Sequence, residues 1–362
     1  MNNNTQYSLS QLGWDSFFEE QFKQVKIPNS IPARIASESR ELYKVYSEQG
    51  ELAAKISGKM RYLAGEEGHL PAVGDWVVIV PQVNEKSAII HAMIPRKSRF
   101  SRKVAGEETK EQVVAANVDT VFIVSGLDGG RNLNLRRIER YLTLAWNSGA
   151  SPVIVLNKTD LCPDLKASID SVETVAMGVP VHALSARERS GLDELAQYLK
   201  NGKTAAFLGS SGVGKSSIIN ALIGAEIQDT GDVRDDDKTG RHTTTRRELI
   251  LLPEGGMVID TPGMREIQMW AGEDDLEGAF PDIVTIAERC YYNDCAHDRE
   301  PGCAVRDAIE SGDLEPARFE SFKKLQNELV YLAAREDNSV RRMEKEKWKN
   351  LFAKEMKRKA GG

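Results

Sequence analysis

Cysteine is scarce, with four in 362 residues. That number cannot build the disulfide framework of a small secreted domain. Three of the four, Cys290, Cys295 and Cys303, fall within fourteen residues, a clustering that reads as a metal site in a reducing cytoplasm. Long apolar runs are missing too. No stretch reaches the roughly 18 unbroken apolar residues of a membrane span, so no membrane partner is expected. The first ten residues are polar and show no basic stretch followed by an apolar run, which excludes a readable secretory signal.

What the chain does contain is ordinary for a folded protein: 41% hydrophobic and 28% charged residues. This supports at least one sizeable core and excludes a wholly disordered or collagen-like chain, and the length points to two or three domains. The net charge of −6 conceals an asymmetry. From Arg341 to the C-terminus nine Lys or Arg face three Glu, so the remaining residues carry −12. An acidic body with a basic tail points to a local anionic partner.

Trp14, Phe17, Phe18 and Phe22 recur at roughly helical spacing and predict a short helix docked on a neighbouring domain. Short β-like runs follow at Leu42–Tyr46, Glu51–Ile56, Trp76–Val80 and Ala88–Ile94, punctuated by Gly50, Gly58, Gly65, Gly74, Pro81 and Asn84. Several short strands in about sixty residues predict a five-stranded barrel of the OB type. Next comes Arg96-Lys97-Ser98-Arg99-Phe100-Ser101-Arg102-Lys103, which a solvated linker explains about as well as an RNA-contacting strap, its place beside the barrel tipping the reading toward RNA. From Val113 strands and helices alternate, the pattern of a mostly parallel sheet covered on both faces.

Gly209-Ser210-Ser211-Gly212-Val213-Gly214-Lys215-Ser216, with Ser217 next, fits G-x-x-x-x-G-K-[ST] between an apolar strand and a helix. Glycines let backbone N–H groups converge on phosphates at a helix N-terminus. Lys215 supplies a point charge to the β and γ phosphates, and the Ser216 hydroxyl ligates Mg²⁺. Asn157-Lys158-Thr159-Asp160 ends another strand. A fixed Asp160 carboxylate accepts from both guanine N1–H and the exocyclic amine. Adenine lacks that donor pair, a mismatch expected to cost on the order of 10⁴-fold. Ser185-Ala186 matches a loop whose backbone N–H reads guanine O6. Asp260-Thr261-Pro262-Gly263 matches D-x-x-G, with Asp260 reaching Mg²⁺ through water and the Gly263 N–H meeting the γ-phosphate. Between these lies Gly240-Arg241-His242-Thr243-Thr244-Thr245, a polar segment suited to a switch. One of its threonines, here assigned as Thr244, should complete the Mg²⁺ shell.

The order is permuted: the base-reading motifs precede the phosphate loop, reversing ordinary GTPases. Near the C-terminus, Cys290, Cys295, His297 and Cys303 offer three thiolates and an imidazole, the complement of a closed, structural Zn²⁺ site. Such a site can supply about 10–16 kcal/mol of apparent binding energy to a small module. A following apolar stripe, Phe319, Phe322, Leu325, Leu329 and Leu332, predicts a core-facing helix.

Together these motifs resemble the ribosome small subunit-dependent GTPase A family over about residues 40–335. The implied fold class is multidomain: an N-terminal β-barrel (OB-fold), a central α/β circularly permuted P-loop GTPase and a C-terminal, mainly helical zinc-binding module. The expected boundaries are an arm at 1–38, the OB-fold at 39–97 and a basic linker at 98–112. The GTPase domain follows at 113–270, the zinc domain at 271–336 and a basic tail at 337–362. The resemblance implies a bacterial cytoplasmic GTPase, expected here as a monomer. It would bind GTP/GDP and the small ribosomal subunit late in maturation, contacting rRNA through barrel and zinc module and coupling hydrolysis to release. Met264 stands where many GTPases carry a water-orienting Gln, so slow intrinsic hydrolysis is expected. Lys215 and, from the switch, His242 are the catalytic candidates, although a structural role suits His242 equally. The competing reading is a non-catalytic rRNA-binding scaffold with GTP as a regulatory ligand. A nucleotide kinase is disfavoured by the N-K-x-D and D-x-x-G motifs.

Overall fold

The computed structural model describes residues 6–39, 42–67, 70–82, 85–103, 111–129, 132–224, 247–260, 280–292, 295–316, 318–320, 322–324 and 326–327. The chain divides into two compact units, Met1–Arg102 with Gln112–Gln268, and Lys103–Glu111 with Met269–Gly362. Among the described residues no helix is long and apolar enough to cross a membrane.

The first unit opens on α1 (Ser16–Gln24), started by the Asp15 carboxylate accepting from the N–H groups of Phe17 and Phe18. A five-stranded barrel follows: β1 (Ile31–Ser39), β2 (Leu42–Ser47), β3 (Gly50–Ile56), β4 (Trp76–Pro81) and β5 (Ser87–Met93), with helix α2 (Gly58–Glu67) between β3 and β4. β1, β2 and β3 pair antiparallel, β3 pairs parallel with β5, and β5 returns antiparallel to β4. β4 then pairs with β1 and closes the ring. Strict alternation along β3 turns Leu52, Ala54 and Ile56 inward onto Val45, Val77, Ile79 and Ile90. Closure leaves none of these five strands as a free edge.

The sequence reading placed residues 31–38 in an arm, whereas they form the first barrel strand. The basic run after the barrel also differs from a free strap. Arg96 forks onto buried Asp75 at 2.7 and 2.6 Å. Lys97 pairs with Asp15 and lies 4.8 Å from the Phe18 ring centroid. Arg99–Lys103 forms strand β6, paired with β7 (Glu111–Ala116). The aromatic helix docks as expected, with Trp14 and Phe18 packed on Trp76 of the barrel at 4.7 and 5.8 Å between ring centroids.

The second layer of this unit is an α/β sheet. Its elements are β8 (Thr120–Gly126), α3 (Leu135–Ser148), β9 (Ser151–Asn157), α4 (Leu165–Glu173), β10 (Val181–Leu184), α5 (Asp193–Ala196), β11 (Thr204–Leu208), α6 (Lys215–Ile223), β12 (Glu248–Leu251) and β13 (Met257–Asp260). Spatial order is β10-β9-β8-β11-β13-β12. All neighbours are parallel except β12, which runs against β13. A register shift in β1 between Ile35 and Ser37 accompanies the pairing of Ser37 with Glu248, so barrel and sheet share one continuous hydrogen-bonded ribbon.

Arg34 locks that junction. It is 2% exposed, and its guanidinium donates to the carbonyls of Leu12, Gly74 and Asn117 and touches Met257 Sδ at 3.6 Å. One side chain thus joins the arm, the barrel, the interdomain crossing and the first residue of β13. Burial pulls its pKa down to about 10, with Asp119 and Asp75 acting in the opposite direction, so it stays charged near neutrality. Arg34→Ala strands three buried carbonyls and opens a cavity, and should cost about 3–5 kcal/mol. Denaturant unfolding of the variant checks this; a loss under about 1 kcal/mol contradicts the locking role.

In the second unit, helices Pro281–Ala287 and Ala304–Ser311 pack around buried Phe280, Ile283, Val305, Leu314 and Phe322. Arg318 forks onto Asp282 at 2.6 and 2.7 Å and lies 5.0 Å over the Phe280 ring. Of the predicted helical stripe, Phe319 and Phe322 stack at 6.3 Å, while Leu325, Leu329 and Leu332 lie outside the described residues.

Candidate guanine-nucleotide site and metal cluster

Parallel register gathers the predicted motifs at one edge. Leu184 and Gly126 both pair with Asn157, Leu208 with Ile123, and Ala206 with Ile259. The strand ends that lead into Asn157, Ser185, Gly209 and Asp260 therefore leave the sheet on its carboxyl side. The chain steps outward from β8 to β10, then returns across β8 to β11, and open α/β sheets bind ligands where order reverses in this way.

The phosphate-loop geometry depends on glycine at two closely packed points. Gly209 has φ +153°, and a Cβ there would meet the Val124 carbonyl at 2.5 Å. Gly214 has φ +96°, and a Cβ there would meet Asn157 Nδ2 at 2.2 Å. Among the described residues no side chain caps the start of α6, and a helix N-terminus that opens directly from a glycine-rich loop is the arrangement that binds phosphate. Lys215 Nζ donates to the carbonyls of Gly209 and Ser210 at 2.8 and 2.7 Å. Val213 is buried in the sheet core, Ser211 and Gly212 are exposed, and Ser216 and Ser217 are half-buried on the first turn of α6.

The loops expected to read the base meet this loop through one amide. Asn157, 2% exposed, donates from Nδ2 to the Val213 carbonyl at 2.9 Å. Its Oδ1 accepts from the Ala186 N–H at 3.0 Å. Ser185 Oγ donates to Asp160 Oδ1 at 2.7 Å, orienting the carboxylate in the 3₁₀ turn Thr159–Leu161. Lys158 has φ +68°, and its ammonium sits 2.6 Å from Asp128 Oδ2. Burial works to raise the Asp128 pKa, but bonds from Lys158 and Asn132 outweigh it and hold the group below the usual carboxylate range. Asp260 ends β13 opposite Glu248 and is half-buried. His242, Thr244, Gly263 and Met264 lie outside the described residues.

In the second unit the ligand atoms of Cys290, Cys295, His297 and Cys303 all lie within 4.8 Å of one another. A tetrahedron of ~2.3 Å bonds has edges near ~3.8 Å, so the donor set fits a zinc ion. Burial and the neighbouring thiols push Cys295 up to about 11, the crowding that a bound cation relieves. His297 holds a left-handed φ of 59°. Burial, then Lys323, lowers its pKa, favouring the neutral ligand form. The surrounding loop is gathered by Glu300, which accepts from the N–H groups of Ala296, Asp298 and Arg299 at 3.2, 2.9 and 3.0 Å.

Residues 93–270 match the RsgA GTPase family. Over 354 residues the chain is 45% identical to the small ribosomal subunit biogenesis GTPase RsgA of Opitutus terrae, spanning 95% of this chain and 96% of that one. The chain belongs to the RsgA GTPase family. It is therefore a GTP hydrolase, and its three-part architecture is the family's permuted layout. The crystal structure of YjeQ from Thermotoga maritima is similar at a TM-score of 0.63 and 28% identity, covering 83% of this chain and 99% of that one. YloQ, described as a circularly permuted GTPase, has a TM-score of 0.61 at 23% identity, covering 84% and 96%, and shares the fold.

Three contributors escape sequence reading. Asp128 anchors Lys158, Arg137 reaches the phosphate loop at Ser210, and Glu300 organises the metal loop. None belongs to a short motif. An Asp after a strand and an Arg in a helix's first turn gain meaning only when the fold brings distant loops together.

Proposed function

We propose that the chain is a GTPase of small ribosomal subunit biogenesis, with GTP clasped between Asp160 at the base and Lys215 at the phosphates. The observation that carries the nucleotide half is Asn157, whose single amide joins the base-reading turn, the Ser185-Ala186 loop and the phosphate loop. Near full-length similarity to the Opitutus terrae relative, whose name states that role, supports the ribosomal half.

In this reading Asp160 accepts from guanine N1–H and N2, the Ser185-Ala186 loop, its Ala186 N–H held by Asn157 Oδ1, lies against O6, and Lys158 lays its stem along the ring while Asp128 holds its ammonium. The N–H groups of 209–217 cradle the phosphates. Mg²⁺ arriving with GTP supplies charge neutralisation at the β and γ phosphates. Ser216, Asp260 and the switch residue Thr244 would hold it. Gly263, Met264 and His242 belong to the two switches, and with no glutamine at 264 the chain depends on its partner for rapid turnover. Zn²⁺ on the Cys₃His cluster staples the C-terminal module, which contacts rRNA together with the barrel. The protein acts as a cytoplasmic monomer, and hydrolysis is coupled to its release from the subunit.

Multiple-turnover phosphate release with purified ribosomal subunits tests this. Small subunits should stimulate turnover by at least about tenfold, the scale of other partner-supplied catalysis being 10³ or more. Large subunits should not, and Lys215→Ala should abolish turnover. Unchanged turnover with small subunits sinks partner activation, whereas the scaffold reading would require turnover no higher than that of Lys215→Ala.

A further inference from the structure

The segment between β8 and the first turn of α3 carries no nucleotide-binding motif, yet it is tied to both ends of the site. At one end Asp128 holds Lys158, beside the base-reading Asp160. At the other, Arg137 Nη1 donates to the hydroxyl of Ser210 in the phosphate loop. Helix geometry fixes the second tie. Asn134 caps α3 by accepting from the Arg137 N–H at 3.0 Å, so Arg137 sits in the first turn with its backbone pinned. The body of α3 is anchored by buried Ile138, Leu142 and Ala145.

Ser210 is gripped twice. Lys215 Nζ binds its carbonyl at 2.7 Å and Arg137 binds its hydroxyl. Only the second grip comes from outside the loop. Lys215 must also serve the phosphates, so the Arg137 guanidinium is, among the described residues, the side chain that fastens Ser210 to a rigid helix. A loop left unfastened loses ordering entropy on binding, which weakens affinity without touching chemistry.

We propose that Arg137 is a positioning residue for GTP and GDP, holding the phosphate loop in its nucleotide-receiving shape through Ser210 and acting on binding rather than on the chemical step. This rests on the guanine-nucleotide reading of the site. Its effect passes through Ser210.

The test uses the full-length chain, GDP titration calorimetry and steady-state GTP turnover. A hydrogen bond from a charged donor is worth about 1.5–3 kcal/mol, and partial exposure puts the expected loss at the low end. Arg137→Ala should weaken GDP binding and raise KM for GTP by about tenfold, with kcat changed by less than about twofold because ground-state and transition-state binding fall together. Ser210→Ala should reproduce the loss, and the double variant should be no worse than either single one, since both remove the same bond. Arg137→Lys, which keeps a donor and a charge, should recover most of the affinity. The Ser210→Ala and Arg137→Lys pair carries the test if the alanine variant at 137 does not fold. Unchanged GDP binding, multiplicative losses in the double variant, or a fall in kcat at constant KM each overturn the assignment. Wild-type protein that fails to bind GDP at all is a separate result, which removes the nucleotide reading itself.

Discussion

Asp160→Asn should lower kcat/KM for GTP by about 10³–10⁴ and create activity on xanthosine triphosphate. The reason is hydrogen-bond parity. Guanine presents two donors side by side, N1–H and the C2 amine, and an ionised carboxylate is acceptor-only. Asparagine offers one acceptor and one NH₂, so one bond becomes a donor facing a donor and the other loses its charge. Xanthine replaces the C2 amine with a carbonyl, which restores complementarity to the amide. The fold should tolerate the change, because Ser185 Oγ, now donating to Asp160 Oδ1, can donate to the amide oxygen or rotate to accept from the amide nitrogen. Steady-state kinetics on both nucleotides provides the check. Loss of GTP turnover with no gain on xanthosine triphosphate would point to a folding defect, and unchanged GTP kinetics would remove Asp160 from the base site.

The legible part of this protein is the part encoded by contiguous residues. Gly209–Ser216 and Asn157–Asp160 could be read because the strained φ values and the strand-end position demand particular residue types in a row. The convergence of those motifs was only inferable, since it depends on β9 and β11 flanking β8 in parallel register. The first barrel strand could not be read at all. Residues 32–36 are buried without a break: Ala33 and Ile35 face the barrel core, while Arg34 faces the junction with the arm and the second sheet. A strand buried on both sides loses the alternation that marks β3, and an arginine at its centre reads as surface. The same logic hid Arg137 and Glu300, polar residues whose partners lie 73 positions away or in backbone N–H groups that any sequence supplies. The basic run after the barrel misled in the opposite sense. Its first two cations are held by Asp75 and Asp15, so charge density there overstated what is free to meet RNA.

Removing the zinc proposed for the Cys₃His cluster should collapse the second unit while leaving nucleotide binding in the first. The buried apolar set of the described C-terminal module is small, built on Phe280, Ile283, Val305, Leu314 and Phe322, and cores of this size need a staple. Apparent zinc binding energies of about 10–16 kcal/mol are available from such ligand sets. Cys290→Ser, or chelation of the wild type, should therefore open 280–327 to protease. GDP affinity should stay within about twofold, since Asn157, Asp160 and Lys215 all belong to the other unit. The pH response has a defined sign. Protons compete for thiolates and imidazole, so metal retention falls as pH drops. Glu300, whose bonds from its own backbone and those of Arg299, Asp298 and Ala296 hold it down to about 2, adds stability that is fully present above the ordinary carboxyl pKa of about 4.3 and disappears as pH falls toward 2. The metal should accordingly be lost before Glu300 is protonated. Glu300→Gln leaves one acceptor oxygen where two now serve three N–H groups, and should weaken metal affinity by about 10-fold, the lower end for residues that orient ligands. Metal content by mass spectrometry across a pH series, read beside the protease pattern, decides the matter. A protease-resistant module in metal-free protein would show that helix packing alone holds it together and that the Cys₃His cluster does some other work.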